Sequence, residues 1–202
     1  PDPEDVAYFE PKFYIFVHQD HGTRVDLQWR VTQRYFSFSL EENHGRGRLV
    51  PVMMAGRPVL TFAPMDLLLI LCAHGAKHHW QELKWICDVA ELLRTEKEKI
   101  AWGKLQQEAS RQGVRRMLSL GLFLAHNLLG AELPMEVSKT VERDVGKGSV
   151  VSRIVSKLFT ESTEPFGDSE LVIFYLRMMD RWQDRVRFSF SYLSQCLRHV
   201  AT

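Results

Sequence analysis

The chain has 202 residues, 45% hydrophobic and 25% charged, with a formal net charge of +1. That composition can bury one sizeable core or two small ones. The near-zero charge excludes a bulk field that would draw the chain to nucleic acid or an anionic membrane, so no specific nucleic-acid partner is expected.

The N-terminal stretch "PDPEDVAYFEP" is acidic and proline-rich, unlike a signal peptide. "FYIFVHQ" is aromatic and β-branched and predicts a strand; "DHGT" predicts a turn with Gly22 at positive φ. In "RVDLQWRV", Val25, Leu27, Trp29 and Val31 alternate with Asp26, Gln28 and Arg30, which predicts a half-buried second strand closing a hairpin. "RYFSFSLEENHGRGR" fits no single element and ends in a glycine-rich loop. "LVPVMMAGRPVLTF" predicts another hairpin, turning at Gly56.

From residue 63 the pattern becomes helical. Pro64 and Asp66 are start signals, and the run from Leu67 to Ala73 is apolar on all sides, so this helix belongs in the core. That run falls far short of the roughly 20 apolar residues that span a bilayer, and no membrane span is expected. "QELKWICDVAELLRTE" keeps Leu83, Ile86, Val89, Ala90 and Leu93 at helical spacing. "AWGKLQQEASRQG" and "VRRMLSLGLFLAHNLLG" each close on a glycine. "PMEVSKTVERDV" and "GSVVSRIVSKLF" predict shorter helices, and "TESTEPFGD" a polar link. The segment from Ser169 to Val200 reads as one long helix or a broken pair. The expected fold is α+β, mostly α, with a β region over residues 1–62 and a helical bundle over 63–202.

Four features carry chemistry. His74 and His78 lie one turn apart and share a helix face, so they could be two ligands of one metal ion or polar groups ending a buried helix. Gly75 stands where an HExxH motif would have glutamate. Lys84 and Asp88 are spaced for an i,i+4 surface pair; alternatively His74, Lys77, His78 and Lys84 form a polar pocket for a polyanion such as a triphosphate. Asp26 is a carboxylate within a strand, where aspartate is disfavoured. It is either a metal ligand or a solvent-facing partner of Arg24 and Arg30. The last segment sets Arg177, Arg181, Arg185 and Arg187 beside Phe174, Trp182, Phe188 and Tyr192, a core-facing stripe or a basic surface helix. Cys72, Cys87 and Cys196 form no CxxC pair, and a reducing, cytoplasmic setting is expected.

The stretches "VDLQWRV", "LCAHGAKHHWQELKWICDVAELLR" and "AWGKLQQEASRQGVRRMLSLGLFLAHNLLGAELP" together resemble the uncharacterised nucleotidyltransferase-fold proteins of bacteria. Those carry a "vDLHW" strand, an "HGAKHxWxxLKWxxDxAxLL" helical pair and a following helix pair ending near "LLG…LP". The resemblance implies part of a nucleotidyltransferase sheet under a helical domain, with Mg²⁺ held by strand carboxylates against the phosphates of an NTP. It implies in-line attack of a hydroxyl on the α-phosphate, from an acceptor not identified by the sequence, with loss of pyrophosphate. Asp26 matches the third metal-binding carboxylate and carries the expected catalytic and metal role; His74, Lys77, His78 and Lys84 are expected to face the phosphates.

Two departures accompany the resemblance. The D-x-D pair that usually supplies the first two carboxylates is absent, and Gln28 replaces the histidine of "vDLHW". With a start at Pro1, both ends read as truncated, and the chain is expected to be the C-terminal portion of such a protein or a degenerate member. The alternatives are a non-catalytic helical interaction module and a metal hydrolase built on His74 and His78.

Overall fold

The computed structural model describes residues 13–18, 20–28, 49–145, 149–159 and 167–200, and within them not the side chains of residues 13, 26, 28, 149, 168 and 195–200. The fold is α+β and mostly helical. β1 (Phe13–Val17) pairs antiparallel with β2 (Arg24–Gln28), and β3 (Leu49–Met54) with β4 (Arg57–Phe62). Eight helices are found among the described residues. They are α1 (Pro64–Lys77), α2 (Leu83–Glu96), α3 (Trp102–Gln112), α4 (Arg115–Leu129), α5 (Met135–Val145), α6 (Ser149–Phe159), α7 (Asp168–Met178) and α8 (Trp182–Val200).

Both expected hairpins form where their turn residues allow. Gly22 sits at φ 63°, and the His18 carbonyl accepts the Gly22 amide at 3.0 Å. Ala55 and Gly56 both take positive φ, 48° and 75°, so β3 and β4 are joined by a two-residue turn of the kind whose twist suits a hairpin. The expectation that β2 is half-buried is not met: Val25 and Leu27 are exposed, as are Tyr14 and Phe16 across the ladder. Alternation predicts burial only where a second layer covers one face, and a two-stranded ribbon does not supply that layer itself.

The core lies among the helices. α4 packs against α1, α2 and α5, and Leu68, Leu69, Ile86, Leu105, Met117, Leu120 and Leu124 are buried there. Pro64 takes the first turn of α1 as expected, and α3 and α4 end on Gly113 and Gly130, both left-handed at φ 73° and 68°. Leu83, counted with the apolar stripe of α2, is exposed. It opens the helix, one turn before the stripe meets α4.

The C-terminal segment is a broken pair. α7 ends at Met178 and α8 begins at Trp182. Arg181 in the break donates to the carbonyl of Arg111, one of the open carbonyls at the C-terminus of α3. Phe174 and Phe188 join the core, whereas Trp182 is exposed with Val186, Phe190 and Leu193 along the outer face of α8. No helix among the described residues is long and apolar enough to cross a membrane.

Candidate functional site

The site is built on the way α1 stops. No glycine follows Lys77, yet the helix ends there in a full Schellman arrangement. The Trp80 amide donates to the Gly75 carbonyl at 2.9 Å and the His79 amide to the Ala76 carbonyl at 3.1 Å. His79 occupies the left-handed position usually held by glycine, φ 56°, and Trp80 follows at φ 54°. Left-handed backbone costs a side-chain-bearing residue about 1–2 kcal/mol. Packing offsets that cost: Trp80 is fully buried, with its ring against Gly75 and Gly121, and the His79 ring meets Phe174 and Tyr175 edge-on at 5.0 and 4.9 Å.

This turn throws His78 onto α2. The His78 ring stacks on Trp85, centroids 4.9 Å apart and planes at 25°. His74 lies 4.7 Å from His78 and meets Trp85 edge-on at 6.0 Å. The ammonium of Lys84 stands over the same indole, 5.5 Å from its centre. From the far end of the chain, the Tyr175 hydroxyl donates to the Lys77 carbonyl at 3.0 Å and ties α7 to the end of α1.

Lys77 is 8% exposed, and no anionic partner for it is found among the described residues. Burial pulls its ammonium below the usual value. Burial also lowers the histidines. His78 and His79 are brought down to about 4, His78 with further repulsion from His74, Lys77 and His79. His74 is lowered by burial and by Lys77, against the pull of Asp88, with Lys84 adding a smaller repulsion. At neutral pH the three imidazoles are uncharged, each with one N–H to donate. The lysines supply the positive charge.

The four residues expected at a phosphate pocket are thus close neighbours. The expected Lys84–Asp88 pair does not form: the Lys84 ammonium lies 2.6 Å from Glu82, because the chain entering α2 is extended at Glu82 and folds back across the first turn. Asp26 is paired with Ile15 in the β1–β2 register, and its side chain lies outside the described residues. His74 and His78 are together as a metal pair requires, but among the described residues no third histidine, cysteine or carboxylate joins them. The Mg²⁺ expected from the resemblance finds no cluster of ligands among those residues either; Mg²⁺ takes oxygen ligands, which lysines and imidazoles do not offer.

Sequence reasoning missed Trp85, Tyr175 and the Trp80 anchor. Trp85 could have been found: it follows Lys84 directly, within the quoted helical-pair motif. Tyr175 lies 98 residues from Lys77, and no local signal links them.

The joint of this helical hairpin thus gathers two lysines and the neutral imidazoles of His74 and His78 around Trp85. The chain belongs to a family of nucleotidyltransferases described as uncharacterised, whose family model matches residues 3–130, from before β1 to the end of α4. Searches of curated proteins and of solved structures found no match.

Proposed function

We propose that this nucleotidyltransferase-family chain binds the phosphates of a nucleoside triphosphate at the joint between α1 and α2. Lys77 and Lys84 supply charge, and His74 and His78 supply neutral N–H donors. The observation that carries this reading is Lys77: its side chain is largely covered, burial pulls its ammonium down, and no anion faces it among the described residues, a place a ligand phosphate would fill. Trp85 holds both imidazoles and steers the Lys84 stem. An NTP as nucleotidyl donor is in keeping with the family match, and a hydroxyl group as the acceptor is part of this proposal. Asp26 is the one residue proposed here as a Mg²⁺ ligand.

The test is calorimetric titration of the full chain with ATP and GTP, with and without Mg²⁺, beside Lys77→Ala and Asp26→Ala. Binding that both substitutions abolish supports phosphates lying between hairpin and helices. Binding lost only in Lys77→Ala keeps the phosphate site and removes Asp26 from it. Absence of binding in the unsubstituted chain overturns the reading.

The alternative of a non-catalytic interaction module is favoured by one observation, the exposed outer stripe Trp182, Val186, Phe190 and Leu193 on α8. A chain that binds no nucleotide but loses self-association on Phe190→Ser, measured by sedimentation, would support it.

A further inference from the structure

A concavity lies where the start of α4 meets the ends of α5 and α7. It has a volume of about 520 Å³, and Arg115, Arg116, Arg143 and Arg177 line it with one carboxylate, Asp144. Two of the guanidiniums are already oriented. Arg115 pairs with Asp144, which also accepts the Ser119 hydroxyl at 3.1 Å. Arg116 lies 3.4 Å from Asp180 and donates to the Arg177 carbonyl at 3.0 Å. Arg143 forms no ion pair among the described residues, and it is exposed.

We infer that this cavity binds the phosphate group of a small molecule, at a site distinct from the α1–α2 joint. Four arginines and no lysine line it, and the planar guanidinium fork matches paired phosphate oxygens where an ammonium is only a point charge. Fixing Arg115 and Arg116 through carboxylates in advance lowers the ordering cost of binding. A concave site of this volume is of the size that encloses small ligands. Nucleic acid would instead need an extended basic face, and the chain as a whole carries only +1.

The two sites share α7. Tyr175 faces the Lys77 carbonyl, and Arg177, two residues on and about 200° round the helix, lines the cavity. A phosphorylated ligand could therefore be held on one side of α7 while a nucleotide occupies the other.

The test uses inorganic pyrophosphate and glycerol phosphate as probes, titrated into the full chain carrying Lys77→Ala, so that the α1–α2 joint does not contribute. Binding is expected in this background, weakening as salt rises and falling about tenfold or more on adding Arg143→Ala. Arg143 is exposed, so the fold should be retained; circular dichroism checks this, and Arg177→Gln is the second variant. Tighter binding of glycerol phosphate than of pyrophosphate identifies an organic phosphate ester; the reverse order identifies a diphosphate. No binding in the Lys77→Ala chain, or equal binding with and without both arginine substitutions, overturns the inference. Either result is independent of whether ATP binds the unsubstituted protein.

Discussion

The six-membered ring of Trp80 lies where a β-carbon on Gly75 would be, with ring atoms 2.4–2.6 Å from that position. The two residues are also joined by the amide of Trp80 and the carbonyl of Gly75. The glycine is thus required by packing, although its own backbone is helical. Gly75→Ala should cost about 1–3 kcal/mol, the usual range for forcing extra volume into a packed core, and Trp80→Ala about 3–5 kcal/mol. Urea denaturation of the two variants checks both values; a neutral Gly75→Ala would mean the ring does not rest there.

Lys77 should show opposing effects on binding and stability. Lys77→Met keeps the aliphatic stem and removes a charge that burial disfavours. Thermal denaturation without ligand should find the variant at least as stable as the parent, while ATP binding is lost. A drop in melting temperature would mean that the ammonium is satisfied within the protein.

The histidines give stability a pH dependence of known sign. His78 and His79 sit at about 4 in the folded chain against an ordinary 6.5. Between those values the unfolded chain binds protons that the folded chain refuses. The contribution of these two histidines should therefore be lost as pH drops from about 6.5 to 4, by about 1–3 kcal/mol each once solvent screening of the half-buried rings is allowed for. His79→Asn tolerates the left-handed backbone and does not titrate, so it should flatten the slope; denaturation midpoints across this window measure it.

A bound phosphate should reverse the depression of His74 and His78 by giving each an anion to face. Binding should then take up protons near pH 6 and tighten as pH falls from 7 toward 5. Titrations of ATP in two buffers of different ionisation enthalpy at pH 6 would give a positive proton count. A count of zero would place the phosphates away from the imidazoles.

Ala55 is strained where Gly56 is not, at φ 48° on a residue with a β-carbon. Ala55→Asn, suited to the first position of this turn, should stabilise the β3–β4 hairpin by about 0.5–1 kcal/mol, read as slower amide exchange in β3 and β4.

Helix starts and stops were legible wherever proline or glycine marked them, as at Pro64, Gly113 and Gly130, and so were both hairpin turns at Gly22 and Gly56. The end of α1 was not, because His79 and Trp80 adopt left-handed backbone that neither residue type advertises, and a buried indole pays for it from a distance. The last segment read equally as one helix or a broken pair, and what accompanies the break at Met179 to Arg181, the Arg181 contact with α3, is made 70 residues away in sequence. The cluster of His74, Lys77, His78 and Lys84 could be read from helical spacing and the family motif, but its electrostatics could not. Spacing suggested Lys84 with Asp88, and the extended approach through Glu82 decided otherwise. Asp26 remains an expectation of the motif alone.

Gly121 on α4 meets the same indole as Gly75 on α1, its β-position 3.1 Å from the ring and 2.6 Å from the Cys72 sulfur. The two helices therefore meet at a notch with a peg in it. Sliding α4 one turn, about 5.4 Å, would bring Met117 or Ala125 to the peg, and neither leaves the space that Gly121 does. One side chain, touching neither proposed ligand, thus indexes α4 against α1 and sets the spacing between the arginines at one helix start and the imidazoles at the other helix end.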